Sequence, residues 1–336
     1  MRSPDCPSLL ATLSLALAAG PLAAQEIIVT SHQPASVKIF DLRLSGDIAP
    51  ARETSGTATG LMTLYATEVD RSRREIFVAD FGGDAVRVFP LAADGNVAPE
   101  REIAGPSTQL DQPIGIALDP VAGELFVRLY GTAKILVFPA GAAGDVVPSR
   151  VLIGAFPGQG GRGIAVDPLR GELFLTEQVD AGAIHVFPIG ASGVVVPMRT
   201  ITGPSTRLVE PSALKLDFTH DELLVVANGE ILTFGRGQAG DVAPTRFFSL
   251  ANQLTPVAGV EIDPVPDELV VSGQSTSGRL YVFPRMTTGA GAIALREISG
   301  AATGLHTNTM LAILPTPRFA DGFEDATTDA WSSSQP

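Results

Sequence analysis

Apolar residues in this chain fall in runs of four to six, β-branched or aromatic for the most part, and the runs are bounded by Gly, Pro and Asp. That pattern predicts short β-strands, and no segment keeps the helical period of 3.6 for long enough to predict a helix. One phenylalanine closes an alternating run again and again, at Phe40, Phe89, Phe138, Phe187, Phe234 and Phe283, with spacings of 49, 49, 49, 47 and 49 residues. Each unit therefore reads as four strands, a to d. Around Phe187 they are Gly163-Ile164-Ala165-Val166-Asp167, Glu172-Leu173-Phe174-Leu175, Ile184-His185-Val186-Phe187 and Met198-Arg199-Thr200-Ile201.

Four short strands in a unit of 40 to 50 residues is the sequence signature of a propeller blade, a sheet that covers its faces only by packing on its neighbours. The expected fold class is all-β: a six-bladed β-propeller with four antiparallel strands per blade. The two ends of the array carry the argument for closure. The first unit begins directly at a b-strand, Glu26-Ile27-Ile28-Val29, while the last runs on into Met310-Leu311-Ala312-Ile313-Leu314-Pro315, which aligns with the a-strand Gly115-Ile116-Ala117-Leu118-Asp119-Pro120. The first blade is thus expected to be completed by the C-terminal strand, which leaves no open inner edge.

Composition narrows the setting. Of 336 residues, 45% are apolar and 18% charged, a balance that excludes intrinsic disorder, and 35 Gly with 26 Pro demand many turns. With 23 basic and 36 acidic residues the net charge is -13, which makes nucleic acid and anionic membranes poor partners. Residues 1–24, with Arg2 ahead of an uncharged stretch from Leu9 to Leu22-Ala23-Ala24, read as a signal peptide. Its 16 uncharged residues, broken by Gly20 and Pro21, fall short of the roughly 20 needed to span a bilayer. An exported protein, secreted or periplasmic, is expected, without membrane insertion after cleavage. The only cysteine, Cys6, lies in that segment, so the exported chain has no disulfide, cysteine-metal site or cysteine nucleophile. A monomer is expected.

The unit around Phe138 carries a finer motif: Pro113-Ile114-Gly115-Ile116-Ala117-Leu118-Asp119, Glu124-Leu125-Phe126-Val127, Ile135-Leu136-Val137-Phe138-Pro139 and Gly144-Asp145-Val146-Val147-Pro148-Ser149-Arg150. These resemble the NHL-type repeats of secreted bacterial six-bladed propellers, over nearly all of residues 27–315. The resemblance implies the fold and leaves the function open, because such propellers include protein-binding, nucleic-acid-binding, lyase and lactonase-like members on one scaffold.

Antiparallel order places the a-strand starts, the b-strand ends and the b-to-c loops on one face, and the a-to-b turns on the other. Asp70, Asp119, Asp167, Asp217 and Asp263 recur at the a-to-b turn and read as turn formers that accept backbone hydrogen bonds. The c-to-d turns carry Gly46-Asp47, Gly144-Asp145 and Gly240-Asp241. Each supplies one carboxylate, whereas calcium wants six to eight convergent oxygens. A third column, Arg52, Arg101, Arg150, Arg199, Arg246 and Arg296, opens each d-strand and reads as charge that guards an exposed sheet edge.

On the other face the units stop agreeing, and there the candidate binding residues gather: His32, Asp80, Arg128, Tyr130, Glu177, Asn228 and Gln274 at or beyond b-strand ends, with Tyr65, Arg162, Ser212 and Thr309 entering a-strands. They are expected to ring the mouth of the central channel, where loops on a rigid support carry function. Catalysis there is weakly encoded. Glu177, Asn228 and Asp80 could imitate the Glu, Asn and Asp set of calcium-dependent gluconolactonase-like propellers, but Arg128 and Arg162 would oppose a divalent cation. Of four histidines only His32 is placed for zinc, and no Gly-x-Ser-x-Gly elbow occurs. No cofactor or metal is implied. The sequence supports a non-catalytic binding module for a protein, peptide or glycan, with a metal-dependent lactonase or a lyase at the mouth as the alternative.

Two features stand apart. Glu68, Lys215 and Glu261 occupy an a-strand column that elsewhere holds Ala117, Ala165 and Ala312, which predicts an ion pair lining the channel or a blade junction. Residues 316–336 are polar and acidic and form an expected flexible tail. In it Phe319-Ala320-Asp321-Gly322-Phe323-Glu324 resembles the Asp-Gly-Phe-Glu tail of many exported bacterial proteins.

Overall fold

A computed structural model of the chain describes residues 25–154, 161–178, 182–249, 257–273, 278–306 and 308–314. The expected signal peptide, Gln274 and the tail lie outside the described residues.

Six antiparallel four-stranded blades form a ring, as the repeat implies. The first blade is split as expected: Asn308–Leu314 pairs antiparallel with Glu26–Ser31, in the register Ile27↔Ile313 and Ile28↔Ala312. The innermost strands of the other blades are Leu64–Asp70, Pro113–Asp119, Ile164–Asp167, Pro211–Asp217 and Val257–Asp263. Six apolar cores hold the ring, one between each pair of neighbouring blades. The recurrent phenylalanines sit in these cores with at most 1% of their surface exposed, which makes them spacers that no single blade could bury alone. The closing strand feeds both flanking cores, Leu311 toward the last blade and Ala312 toward the second.

The outer edge is held differently from the sequence-based expectation. All six arginines of the d-strand column form ion pairs, with Glu26, Glu75, Glu124, Glu172, Glu222 and Glu268 at the starts of the b-strands of their own blades. Several also donate to backbone carbonyls of the following blade, as Arg101 does to Ala142 and Arg296 to Leu42. These side chains tie blades together instead of standing as free charge at the rim.

Edge protection comes from the backbone. The glycine of each c-to-d segment pairs in parallel with the d-strand of the preceding blade: Gly46 with Ile298, Gly95 with Thr54, Gly144 with Ile103, Gly193 with Leu152, Gly240 with Ile201 and Gly289 with Phe248. Every outermost strand is therefore covered by its neighbour. The following aspartate completes the clasp, since Asp145 accepts from the Ser107 N–H at 2.6 Å, Asp241 from Ser205 at 2.7 Å and Asp47 from Ala302 at 2.7 Å. The repeated Gly-Asp is an inter-blade fastener. At the a-to-b turns the aspartates do what the sequence suggests: Asp119 accepts from Val121 and Ala122, and Asp167 from Leu169 and Arg170.

Candidate ligand site at the channel mouth

The mouth begins with a backbone device. In the second blade the pairing register shifts between Leu64 and Ala66, so Tyr65 is the extra residue of a β-bulge. A bulge re-aims the side chain it carries, and comparable shifts occur at the same end of the innermost strands that begin at Pro113, Pro211 and Val257. Tyr65 meets the His32 ring edge-on at 5.1 Å and the Phe81 ring at 4.9 Å, and Phe81 in turn meets Tyr130 at 5.7 Å. One chain of rings thus crosses the first three blades. Tyr130 is 47% exposed, while His32 and Tyr65 are half-buried, so polar edges remain open to solvent along an aromatic surface.

Arg162 joins from the fourth blade, its guanidinium 5.9 Å from the Tyr65 ring centre. It is half-buried and has no carboxylate partner among the described residues. Burial pulls its pKa down from the ordinary arginine value, with Tyr65 opposing. A partly desolvated cation beside an aromatic face, with no counter-charge among the described residues, is arranged to receive an anionic group.

Other sequence candidates support this surface from below. Arg128, 1% exposed, donates to the carbonyls of Gly163 at 3.1 Å and Thr176 at 2.6 Å, and so fixes the residue after Arg162. Burial pulls its guanidinium down to about 10, opposed by the Glu177 carboxylate. The Ser212 carbonyl accepts from the Gly163 N–H at 2.5 Å and the Thr176 hydroxyl at 2.9 Å, which anchors the same segment to the fifth blade. Ser212 itself is buried.

Asp80, Glu177 and Asn228 do not converge with them. Asp80 is fully buried, accepts from the Met62 and Thr63 N–H groups and pairs with Arg87 at 2.9 Å. Glu177 lies buried against His185, with Nε2 to Oε2 at 2.5 Å, and His185 reaches Thr200 on its other side. Asn228, at φ 46°, and Gly229, at φ 77°, form the two-residue connection between Glu222–Ala227 and Glu230–Gly235. Positive φ at both positions defines a type I′ hairpin, which explains an Asn-Gly pair without a ligand. Among the described residues no three His, Cys, Asp or Glu side chains form a group able to hold a metal ion. Thr309 lies on the closing strand.

Phe81 was missed by sequence reasoning, which sought polar residues at the mouth. The signal available was its place immediately after the b-strand that ends at Asp80, one position from a column already singled out.

The interior cluster is present. Lys215 Nζ lies 2.5 Å from Glu261 Oε1 and 3.5 Å from Glu68 Oε1, bridging three blades inside the channel. Burial pulls the ammonium down, but Glu261 and Glu68 outweigh it and hold the pKa above the ordinary lysine range. Arg162 lines one small space of about 10 Å³ together with all three members of this cluster.

Set against known proteins, residues 23–290 match the sequence model of a family described as lactonase, 7-bladed beta-propeller. The chain belongs to that family, although its own ring closes with six blades where the family description has seven. Curated proteins give no match. Among solved structures, a chain of the nidogen/laminin complex is 13% identical, with a TM-score of 0.60, covering 87% of this chain and all (100%) of that one. A protein of unknown function from Bacteroides caccae is 10% identical with a TM-score of 0.62, covering 87% and 99%. At such identities the likeness shows the fold, and the NHL-type resemblance stands at the level of a β-propeller.

Proposed function

We propose that this protein is an exported binding propeller, built of NHL-type repeats and acting as a monomer, that holds a protein, peptide or glycan on its channel mouth without transforming it. The observation that carries the reading is the row His32–Tyr65–Phe81–Tyr130 with Arg162 at its side. Rings supply area at low entropic cost and stack on sugar or side-chain faces, and a guanidinium beside them selects a carboxylate or similar anion. An acidic glycan or an acidic, aromatic-rich peptide fits both halves. The similar chain from the nidogen/laminin complex comes from a protein–protein assembly, which accords with such use of the scaffold. Screening of the exported chain on glycan and peptide arrays, followed by titration of the best binder, is the test. Arg162→Ala and Tyr65→Ala are expected to weaken that binder at least about tenfold. Unchanged affinity in both variants would refute the reading.

Family membership favours a second reading, hydrolysis of a lactone. The described residue pair best suited to acid–base work is Glu177 with His185, coupled at 2.5 Å but buried at a blade junction. Turnover of an aldonolactone by the purified chain, lost in His185→Gln, would replace the binding reading with this one.

A further inference from the structure

At the end of the channel away from the mouth, among the a-to-b turns, the innermost strands part around a cavity of about 390 Å³. Its wall is largely apolar, with Val69, Leu216, Ile262 and Ile313, and its roof is the Glu68–Lys215–Glu261 cluster. The three charges do not balance. Lys215 lies 2.5 Å from Glu261, which also accepts from the Ile262 N–H, so the ammonium is committed to that side. Glu68 has the long contact of 3.5 Å to Lys215 as its ion pair among the described residues, and its side chain is 25% exposed. Two carboxylates therefore share one ammonium on the wall of a cavity that is otherwise largely apolar.

We propose that this chamber binds a small protonated primary amine with a compact apolar body, its ammonium seated on Glu68 and its hydrocarbon part against the strand walls. A second cation completes a two-by-two charge arrangement that the protein alone leaves one short. The volume lies within the range of small-molecule pockets and holds a body the size of a phenylethyl group. Arg71, which also lines the cavity, has the Asp263 carboxylate acting on it. Asp217, also on the wall, is engaged by Arg285 and His220. None of the mouth residues His32, Tyr65, Phe81, Tyr130 and Arg162 lines this cavity.

Occupancy is coupled to a proton. Burial pushes the Glu261 carboxyl up to about 7, restrained by Lys215 and raised further by Glu68. The charged groups facing it are Lys215 from the adjacent blade, Glu68 from across the channel, and Arg162, which lines the same small space. An arriving ammonium favours the carboxylate form of Glu261, so below about pH 7 binding releases the Glu261 proton to solvent, and affinity rises as pH increases through that value.

Calorimetric titration of the exported chain with 2-phenylethylamine and with its neutral isostere 2-phenylethanol tests the proposal. One amine is expected to bind per chain, the alcohol at least about tenfold more weakly, and Glu68→Gln to lose at least about tenfold while Asn228→Gly, in a hairpin that does not line the cavity, binds the amine as the parent does. The unmodified chain gives an independent reading: amine affinity should rise between pH 6 and pH 8, with proton release shown by buffers of different ionisation enthalpy. No binding of the amine at millimolar concentration, equal affinity for amine and alcohol, or a flat pH profile would each overturn the assignment.

Discussion

Removing the channel lysine should expose how much the interior charges cost when they are left unmatched. Lys215→Met keeps the length and apolar stem of the side chain but strands Glu261, 4% exposed, and Glu68 across the channel. Breaking a buried pair in this way costs about 3–5 kcal/mol, because the remaining charge has lost its partner without regaining water. The pH dependence is specific. The Glu261 carboxyl titrates near 7 in the folded protein against an ordinary value of 4.5, so between these values the folded state holds more protons than the unfolded one. Stability therefore falls as pH rises from about 4.5 to about 7, and the whole of that loss is in place above 7. Without Lys215 to restrain it, the folded value climbs further and the decline continues to higher pH. Guanidinium unfolding at pH 8 should place the variant about 3–5 kcal/mol below the parent, while at pH 5, where the buried carboxyl is protonated in both, the gap should shrink to about 1 kcal/mol. Adding Glu261→Gln to Lys215→Met should recover most of the loss at pH 8. An equal loss at both pH values, or no recovery in the double variant, would refute the reasoning.

Three further outcomes follow from local geometry. Arg128→Met takes the donor from two buried carbonyls, those of Gly163 and Thr176, and should cost about 3–5 kcal/mol in denaturant unfolding while weakening ligand binding at the mouth, because Arg162 loses its support. Gly105 lies at φ 117°, and a Cβ there would come within 2.6 Å of the Asp145 Cγ. Gly105→Ala should therefore cost at least about 2 kcal/mol, with hydrogen exchange quickening in the segment around Asp145. Asn228→Val forces a β-branched residue to positive φ and should cost about 1–2 kcal/mol by thermal unfolding, whereas Asn228→Gly should be nearly silent, and neither should alter affinity at the mouth.

The parts legible in the sequence were those dictated by repetition. A phenylalanine that recurs every 47 to 49 residues points to like sheets that share cores, and the missing a-strand before Glu26 and the surplus strand at Met310 complete one another. The Lys215 cluster was legible because a charge in a column of alanines needs a partner within reach. What stayed hidden depends on relations between blades. The partner of each rim arginine is a glutamate 24 to 28 residues earlier, on the far strand of the same blade, and a column of arginines alone does not reveal it. Asp80 and Asn228 look like mouth residues by position, yet Arg87 seven residues on and Gly229 next door decide their roles. The aromatic row depends on a bulge at Tyr65, which the alternation of apolar residues does not show.

Closure of the ring by Asn308–Leu314 on Glu26–Ser31 is the claim on which the mouth, the channel and both proposed sites depend. Hydrogen-exchange mass spectrometry of the unliganded chain reads it directly. Amides of the C-terminal strand should be protected as strongly as those of Glu26–Ser31 and lose protection together with them as denaturant is added. Exchange of 308–314 within seconds, while 26–31 stays protected, would contradict the account.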